Sequence, residues 1–206
     1  MTLRLNGFNH SNYYNILRIG MLEKNLPFEE VKVSVRDPEY RKVAAMGKVP
    51  SLETDEGVLI ETSVIIDYLE DICPEPALMP AAPFARAKVR EMIRVLDLHL
   101  ELVARSLYAE AFFGGTVSDE VKAATRPLLA KGLDAFTRLA SFDDYLCGGE
   151  YSWADIVAVV HLPLIGSTTR RIYNEDPLAA LPGLPEYLQR IKARPLVQKV
   201  RGGVKK

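Results

Sequence analysis

The sequence predicts an α/β half followed by an all-α half, and three features carry that prediction. Residues 1–73 alternate short runs of period-two hydrophobicity with helical runs. Pro74, Pro76, Pro80 and Pro83 then fall within ten residues and mark residues 74–84 as a linker. Residues 85–206 carry helical patterning throughout.

The elements follow in order. Leu3-Arg4-Leu5 alternates apolar and polar residues, and Gly7 to Ser11 is a polar turn. From Tyr14 to Lys24 the apolar residues fall at helical spacing until Asn25 and Pro27 end the run. Val31, Val33 and Val35 alternate as a half-buried strand, and strand–helix–strand of this length implies a right-handed parallel crossover. Asp37 to Met46 is weakly helical. Ser51 to Thr54 and Val58 to Glu61 form a hairpin across Asp55-Glu56-Gly57. Val64, Ile65, Tyr68 and Leu69 make a helical stripe, so the predicted order is β-α-β-α-β-β-α.

In the second half, Arg86 to Phe113 runs without Pro or Gly and reads as one long helix. A second spans about Ser118 to Ala140, with Pro127 as a kink point. Ser152-Trp153-Ala154-Asp155 fits a capping box in front of a segment apolar nearly all round, the expected buried centre of this half. Pro185 to Lys192 is a last amphipathic helix. No repeat appears, and the only low-complexity stretch is Gly202 to Lys206.

Bulk composition narrows the function classes. Hydrophobic residues make 48% and charged residues 26%, as in an ordinary globular protein. A net charge of −1 gives no field for nucleic acid or anionic membrane. No apolar run reaches the roughly 18 residues that cross a bilayer. Met1 to Asn6 lacks the basic-then-apolar order of a signal peptide. Cys73 and Cys147 lie far apart, which points to neither a disulfide framework nor a zinc site and reads as cytoplasmic.

The segment Gly47-Lys48-Val49-Pro50-Ser51-Leu52, with Glu61-Thr62-Ser63, is the richest candidate site. Pro50 either simply starts a strand or carries a cis bond that frees the Val49 N–H and C=O to pair with an extended peptide. Thr62 or Ser63 serves as a helix cap, or Glu61 binds an ammonium while Thr62 and the helix N–H groups hold a carboxylate. Ser11 is an N-cap, or its hydroxyl and the helix start act together on an anion. His10 beside Ser11 does not make a hydrolase, since adjacent residues rarely face each other and no third orienting group is evident. His99 and His161 sit in helical runs as structural histidines. Tyr108, Phe112 and Phe113 are at helical spacing, either as core or as an apolar wall for a substrate.

These features together resemble the cytosolic glutathione transferases over nearly the whole chain: a thioredoxin-like amino-terminal half, a proline-rich linker and an all-helical carboxy-terminal half. The resemblance is carried by Gly47 to Leu52, Leu59 to Glu70, Leu17 to Glu29 and Ser152 to Asp155. It implies a cis Pro50, a Val49 paired with the cysteinyl backbone of glutathione, Glu61 and Thr62 at its γ-glutamyl end, and Lys48 near its carboxylates. It places Ser11 where serine-type members carry the residue facing the sulfur, with Asn12 and Tyr13 as alternatives in the same turn. Tyr13, Tyr14, Tyr108 and Phe112 are then expected to line the electrophile site. The sequence departs from the family at Asn12, where many serine-type members have proline, and at Ala44-Ala45-Met46, where Asn-Pro is common. No cysteine lies near Ser11, against mixed-disulfide chemistry. The implied protein is a homodimeric detoxification enzyme that needs glutathione and no metal. Glutathione-dependent disulfide reduction or isomerisation, and a non-catalytic regulatory relative, are the competing readings.

Overall fold

The computed structural model describes residues 2–202, and the remainder of the Gly202 to Lys206 stretch lies outside them. The chain divides into two compact units, Met1–Met79 together with Ala193–Lys206, and Pro80–Lys192. Among the described residues no helix is long and apolar enough to cross a membrane.

The first unit holds β1 (Arg4–Gly7), α1 (Asn12–Glu23), β2 (Glu29–Lys32), α2 (Tyr40–Val43), β3 (Ser51–Thr54), β4 (Gly57–Ile60) and α3 (Thr62–Ile72). This is the predicted order, except that the second strand starts and ends earlier than the Val31-Val33-Val35 alternation indicated. The sheet order is β2-β1-β3-β4, with β1 and β2 parallel and the other pairs antiparallel. Leu5 and Leu52 sit opposite each other at the centre, both fully buried beneath Ile16, Leu17, Ile65 and Leu69 of the flanking helices. That apolar face is the main source of stability. One ion pair is buried with it: Lys24 Nζ lies 2.7 Å from Glu70 and 2.9 Å from the Pro76 carbonyl oxygen, tying the proline-rich segment down.

The carboxy-terminal end corrects the predicted boundary of 85–206. An additional helix, the last among the described residues (Pro195–Gly202), buries Val197 and Val200 and packs on α1 within the first unit. The Arg194 guanidinium adds a forked pair to Glu23 at 3.3 and 3.4 Å.

The second unit contains α4 (Pro83–Arg94), a π-helical stretch (Val95–Glu101), α5 (Leu102–Arg105), α6 (Tyr108–Phe113), α7 (Asp119–Leu139), α8 (Trp153–Tyr173) and α9 (Leu184–Lys192). The single helix expected from Arg86 to Phe113 is therefore divided. The π stretch turns Asp97 inward to meet His161 Nε2 at 3.1 Å. The break at Ser106-Leu107 is where the Ser106 hydroxyl bonds back to the Val103 carbonyl and shares a 3.0 Å contact with Thr125. Gly132 of α7 lets the π stretch approach, since a Cβ there would meet the His99 carbonyl oxygen at 2.3 Å. Pro127 is absorbed within α7 without ending it.

α8 is the buried centre, as its all-round apolarity requires. Its capping box is complete. Asp155 accepts from the amides of Ser152 and Leu146 at 2.9 Å, from the Ser152 hydroxyl at 3.0 Å and from the Tyr187 hydroxyl at 2.7 Å. Burial raises this carboxyl above the usual range, and those four donors oppose the rise.

Candidate active site

Sheet register brings the sequence-predicted residues of the first unit to one end. Asn6, Ser51 and Ile60 form a single row across β1, β3 and β4. β1 leaves that row toward Ser11, β4 leaves it toward Glu61, and β3 enters it from Lys48-Val49-Pro50. Ser11, Lys48, Val49, Pro50, Glu61 and Thr62 therefore share one edge of the sheet.

Apart from Pro50, each of these residues keeps a donor or acceptor with no partner among the described residues. Ser11 caps α1: its Oγ accepts from the Tyr14 amide at 3.3 Å. Its hydroxyl hydrogen has no acceptor among the described residues. The Val49–Pro50 peptide bond is cis. Among the described residues neither the Val49 N–H nor its C=O is hydrogen-bonded, whereas the preceding Lys48 C=O accepts from the Tyr40 hydroxyl at 3.1 Å. The Lys48 side chain is exposed and carries no ion pair among the described residues.

Glu61 is the N-cap residue of α3, yet its side chain makes no capping bond. Its backbone stands at φ 70°, ψ 115°, a region that costs a non-glycine residue about 1–3 kcal/mol. The first intrahelical bond runs from the Ile65 amide to the Glu61 carbonyl at 3.0 Å. The amides of Thr62, Ser63 and Val64 thus have no acceptor among the described residues, and the Thr62 hydroxyl beside them has no partner either. An exposed carboxylate, a hydroxyl and three free amides lie within four residues, able to hold an ammonium and a carboxylate on one carbon.

The tyrosines divide differently from the expectation. Tyr14 does not line a substrate wall. It is 2% exposed, its ring lies on Gly7, where a Cβ would come within 2.1 Å, and its hydroxyl donates to Glu30 at 2.8 Å. Burial, reinforced by Glu30, holds its phenol well above the ordinary range, so it stays protonated and committed. Tyr13, on the next face of the helix, is only half-buried.

In the helical unit, Tyr108 packs edge-on against Phe112 with centroids 5.3 Å apart, and its hydroxyl donates to the fully buried Glu101 at 3.2 Å. Burial and Glu101 raise that phenol too. Arg105 stacks over Tyr108 and Arg171 over Phe112, each at 5.3 Å. Phe112 is half-buried and Phe113 is 79% exposed, so these rings offer more surface than Tyr108 does.

Neither cysteine joins the Ser11 edge. Cys73 ends α3 at its far terminus, and Cys147 belongs to the helical unit, where burial pushes its thiol up to about 12. Sequence reasoning missed Tyr40, Asn6 and Ser51, which lie behind the Val49 corner. The signal for Asn6 and Ser51 was polarity at strand positions beside buried leucines, meaningful only once the register puts Asn6 opposite Ser51; Tyr40, on α2 between charged residues, carried no such signal.

A four-stranded thioredoxin-like unit joined to a helical unit is the architecture of a class of glutathione-dependent enzymes. Models of the glutathione S-transferase N-terminal and C-terminal domains match residues 5–77 and 119–190. A glutathione S-transferase of Pseudomonas putida is 39% identical over 199 residues, covering 96% of this chain and 90% of that protein. A maleylpyruvate isomerase of Ralstonia is 32% identical over 163 residues, covering 74% of each. Among solved structures, a glutathione S-transferase of Methylobacterium radiotolerans in complex with glutathione sulfonate aligns with a TM-score of 0.77 at 26% identity, over 97% of this chain and 94% of that one. The chain belongs to the glutathione S-transferase family, and it is a glutathione transferase enzyme.

Proposed function

We propose that the chain is a serine-type transferase that stabilises the glutathione thiolate and directs it at small apolar electrophiles. The observation that carries this reading is the Ser11 hydroxyl. Its oxygen accepts from the Tyr14 amide, while its hydrogen has no acceptor among the described residues and is free to donate. A free thiol has pKa about 8.5, and lowering it by about two units corresponds to roughly 2.7 kcal/mol of preference for the thiolate.

The other groups divide the tripeptide between them. The Val49 N–H and C=O pair with the cysteinyl backbone. Glu61 takes the γ-glutamyl ammonium, and the Thr62 hydroxyl with the first amides of α3 takes the adjacent carboxylate. Lys48 answers the peptide's carboxylates. Tyr13, half-buried in the turn after Ser11, offers an aromatic face to the electrophile. The sulfur lone pair forms an S–C bond while the electron pair of the broken bond leaves with the displaced group, and Ser11 remains a hydrogen-bond donor throughout. A cytoplasmic homodimer acting in detoxification is part of the same reading.

Reversible thiolate addition to an activated double bond is a second reading, favoured by the likeness to the Ralstonia maleylpyruvate isomerase. The thiolate adds, the resulting single bond rotates, and elimination returns glutathione unchanged.

The test is calorimetric titration of glutathione into wild type and Ser11→Ala, with thiolate absorbance followed in the ultraviolet. Wild type is expected to bind and to show thiolate near neutral pH, with Ser11→Ala binding but raising the bound thiol pKa by about two units. Unchanged thiolate in Ser11→Ala moves the sulfur-facing role to Asn12 or Tyr13. Absence of binding by wild type overturns the assignment of this edge to glutathione and of Ser11 to its sulfur.

A further inference from the structure

Beneath the Val49 corner a chain of hydrogen bonds runs from Asn6 through Ser51 and Tyr40 to the Lys48 carbonyl. Tyr40, 5% exposed on α2, has its hydroxyl 3.1 Å from the Lys48 carbonyl oxygen and 3.0 Å from Ser51 Oγ. A phenol has one hydrogen. Given to the Lys48 carbonyl, it leaves the Ser51 hydroxyl to donate to the Tyr40 oxygen. Ser51 in turn accepts from Asn6 Nδ2 at 3.1 Å, and the other hydrogen of that amide goes to Glu53 Oε1 at 2.7 Å. Glu53 is completed by Arg4 Nη1 at 3.2 Å.

This single phenol therefore holds the residue before Val49-Pro50 and the residue after it. Lys48 and Ser51 bracket the dipeptide, and both are tied to the same oxygen atom. The chain is also imperfect, because Asn6 Oδ1 is buried with no partner. A buried network with an unmet acceptor is a poorer device for stability than apolar packing. Its retention behind an unpaired backbone edge points to a positional role.

We infer that Tyr40 is a positioning residue for glutathione: through the Lys48 carbonyl and Ser51 it fixes the direction in which the Val49 N–H and C=O face the peptide. The inference rests on the glutathione-binding reading of that edge. Tyr40 touches no reacting atom, so it acts on affinity and leaves the sulfur chemistry of Ser11 alone.

The test measures glutathione KM, kcat at saturating glutathione and the pKa of the bound thiol in wild type, Tyr40→Phe, Ser51→Ala and the double variant. Loss of a neutral hydrogen bond that orients the binding edge is expected to raise KM about 5- to 20-fold in Tyr40→Phe. Its kcat and bound-thiol pKa should stay at wild-type values, a split that general loosening of the fold does not produce. Ser51→Ala should raise KM less, and the double variant should resemble Tyr40→Phe, because both changes cut one chain.

Wild-type KM in Tyr40→Phe overturns the inference, as does a bound-thiol pKa that moves with KM. Should Tyr40→Phe fail to fold, an unchanged KM in Ser51→Ala overturns it. Wild type without glutathione binding overturns the underlying reading and this inference with it, an outcome visible in the wild-type arm alone.

Discussion

The starts of α8 and α3 face the same chemical problem and answer it in opposite ways. Each carries an acidic side chain beside amides that have no intrahelical acceptor. At α8, the Asp155 carboxylate is committed inside the protein: it takes the amides of the N-cap Ser152 and of Leu146 and two hydroxyls, and the residue is wholly buried. At α3, Glu61 is exposed, caps nothing and holds its backbone at positive φ, leaving the next three amides open. A helix start whose carboxylate is committed to internal donors holds a fold together. An open one, kept open against backbone strain, is suited to a ligand.

The largest effect that tests this contrast is on stability. Asp155→Ala removes the capping box and strands the Leu146 amide and the Tyr187 hydroxyl inside the helical unit. It should lower stability by about 3–5 kcal/mol, read as a fall in Tm or in the denaturant midpoint. A loss below about 1 kcal/mol means that the buried carboxylate is not what holds α8.

Ser11→Ala comes next and should act on chemistry instead. Returning the bound thiol toward its free pKa is expected to cost about 100-fold in kcat/KM near pH 7, with Tm lowered by no more than the loss of one cap, about 1 kcal/mol. The sign follows from the direction of the shift: a lowered thiol pKa favours the thiolate below pH 8.5, so the deficit of the variant should shrink as pH rises past about 8.5.

Glu61→Gly gives the smallest stability change and sharpens the contrast most. Glycine accepts positive φ without steric cost, so relief of strain roughly balances its backbone entropy, and stability should stay level or rise by up to about 1 kcal/mol. Glutathione affinity should fall about tenfold or more through loss of the charged hydrogen-bond partner. A variant that loses stability and keeps its affinity would reverse the roles assigned to the two helix starts.

How far the sequence carried this account depended on how local each feature is. The Ser152–Asp155 box, the hairpin at Asp55-Glu56 and the parallel crossover are set by neighbouring residues, and all were legible. Arg86 to Phe113 reads as one helix because it contains no breaker. Its π stretch and its break arise from Asp97 reaching His161 and from Ser106 meeting Thr125, contacts that span 64 and 19 residues. The last helix is only eight residues long and is held by α1, far away in sequence. Tyr13 and Tyr14 could not be told apart as wall residues, since consecutive helical positions face different directions and only the bed of Gly7 selects Tyr14 for the core. At the site, Glu61-Thr62-Ser63 has the composition of an ordinary cap. Its openness became visible only through the dihedral angles and the absence of a capping bond.

Glutathione is expected to dock at the open start of α3 and not at the start of α8, where the carboxylate is already committed. Amide hydrogen exchange with and without glutathione, resolved to single residues, tests it most directly. New protection is expected at Thr62, Ser63, Val64 and Val49, and none at Trp153, Ala154 or Asp155. Protection that leaves Thr62 to Val64 untouched while glutathione is bound would contradict it.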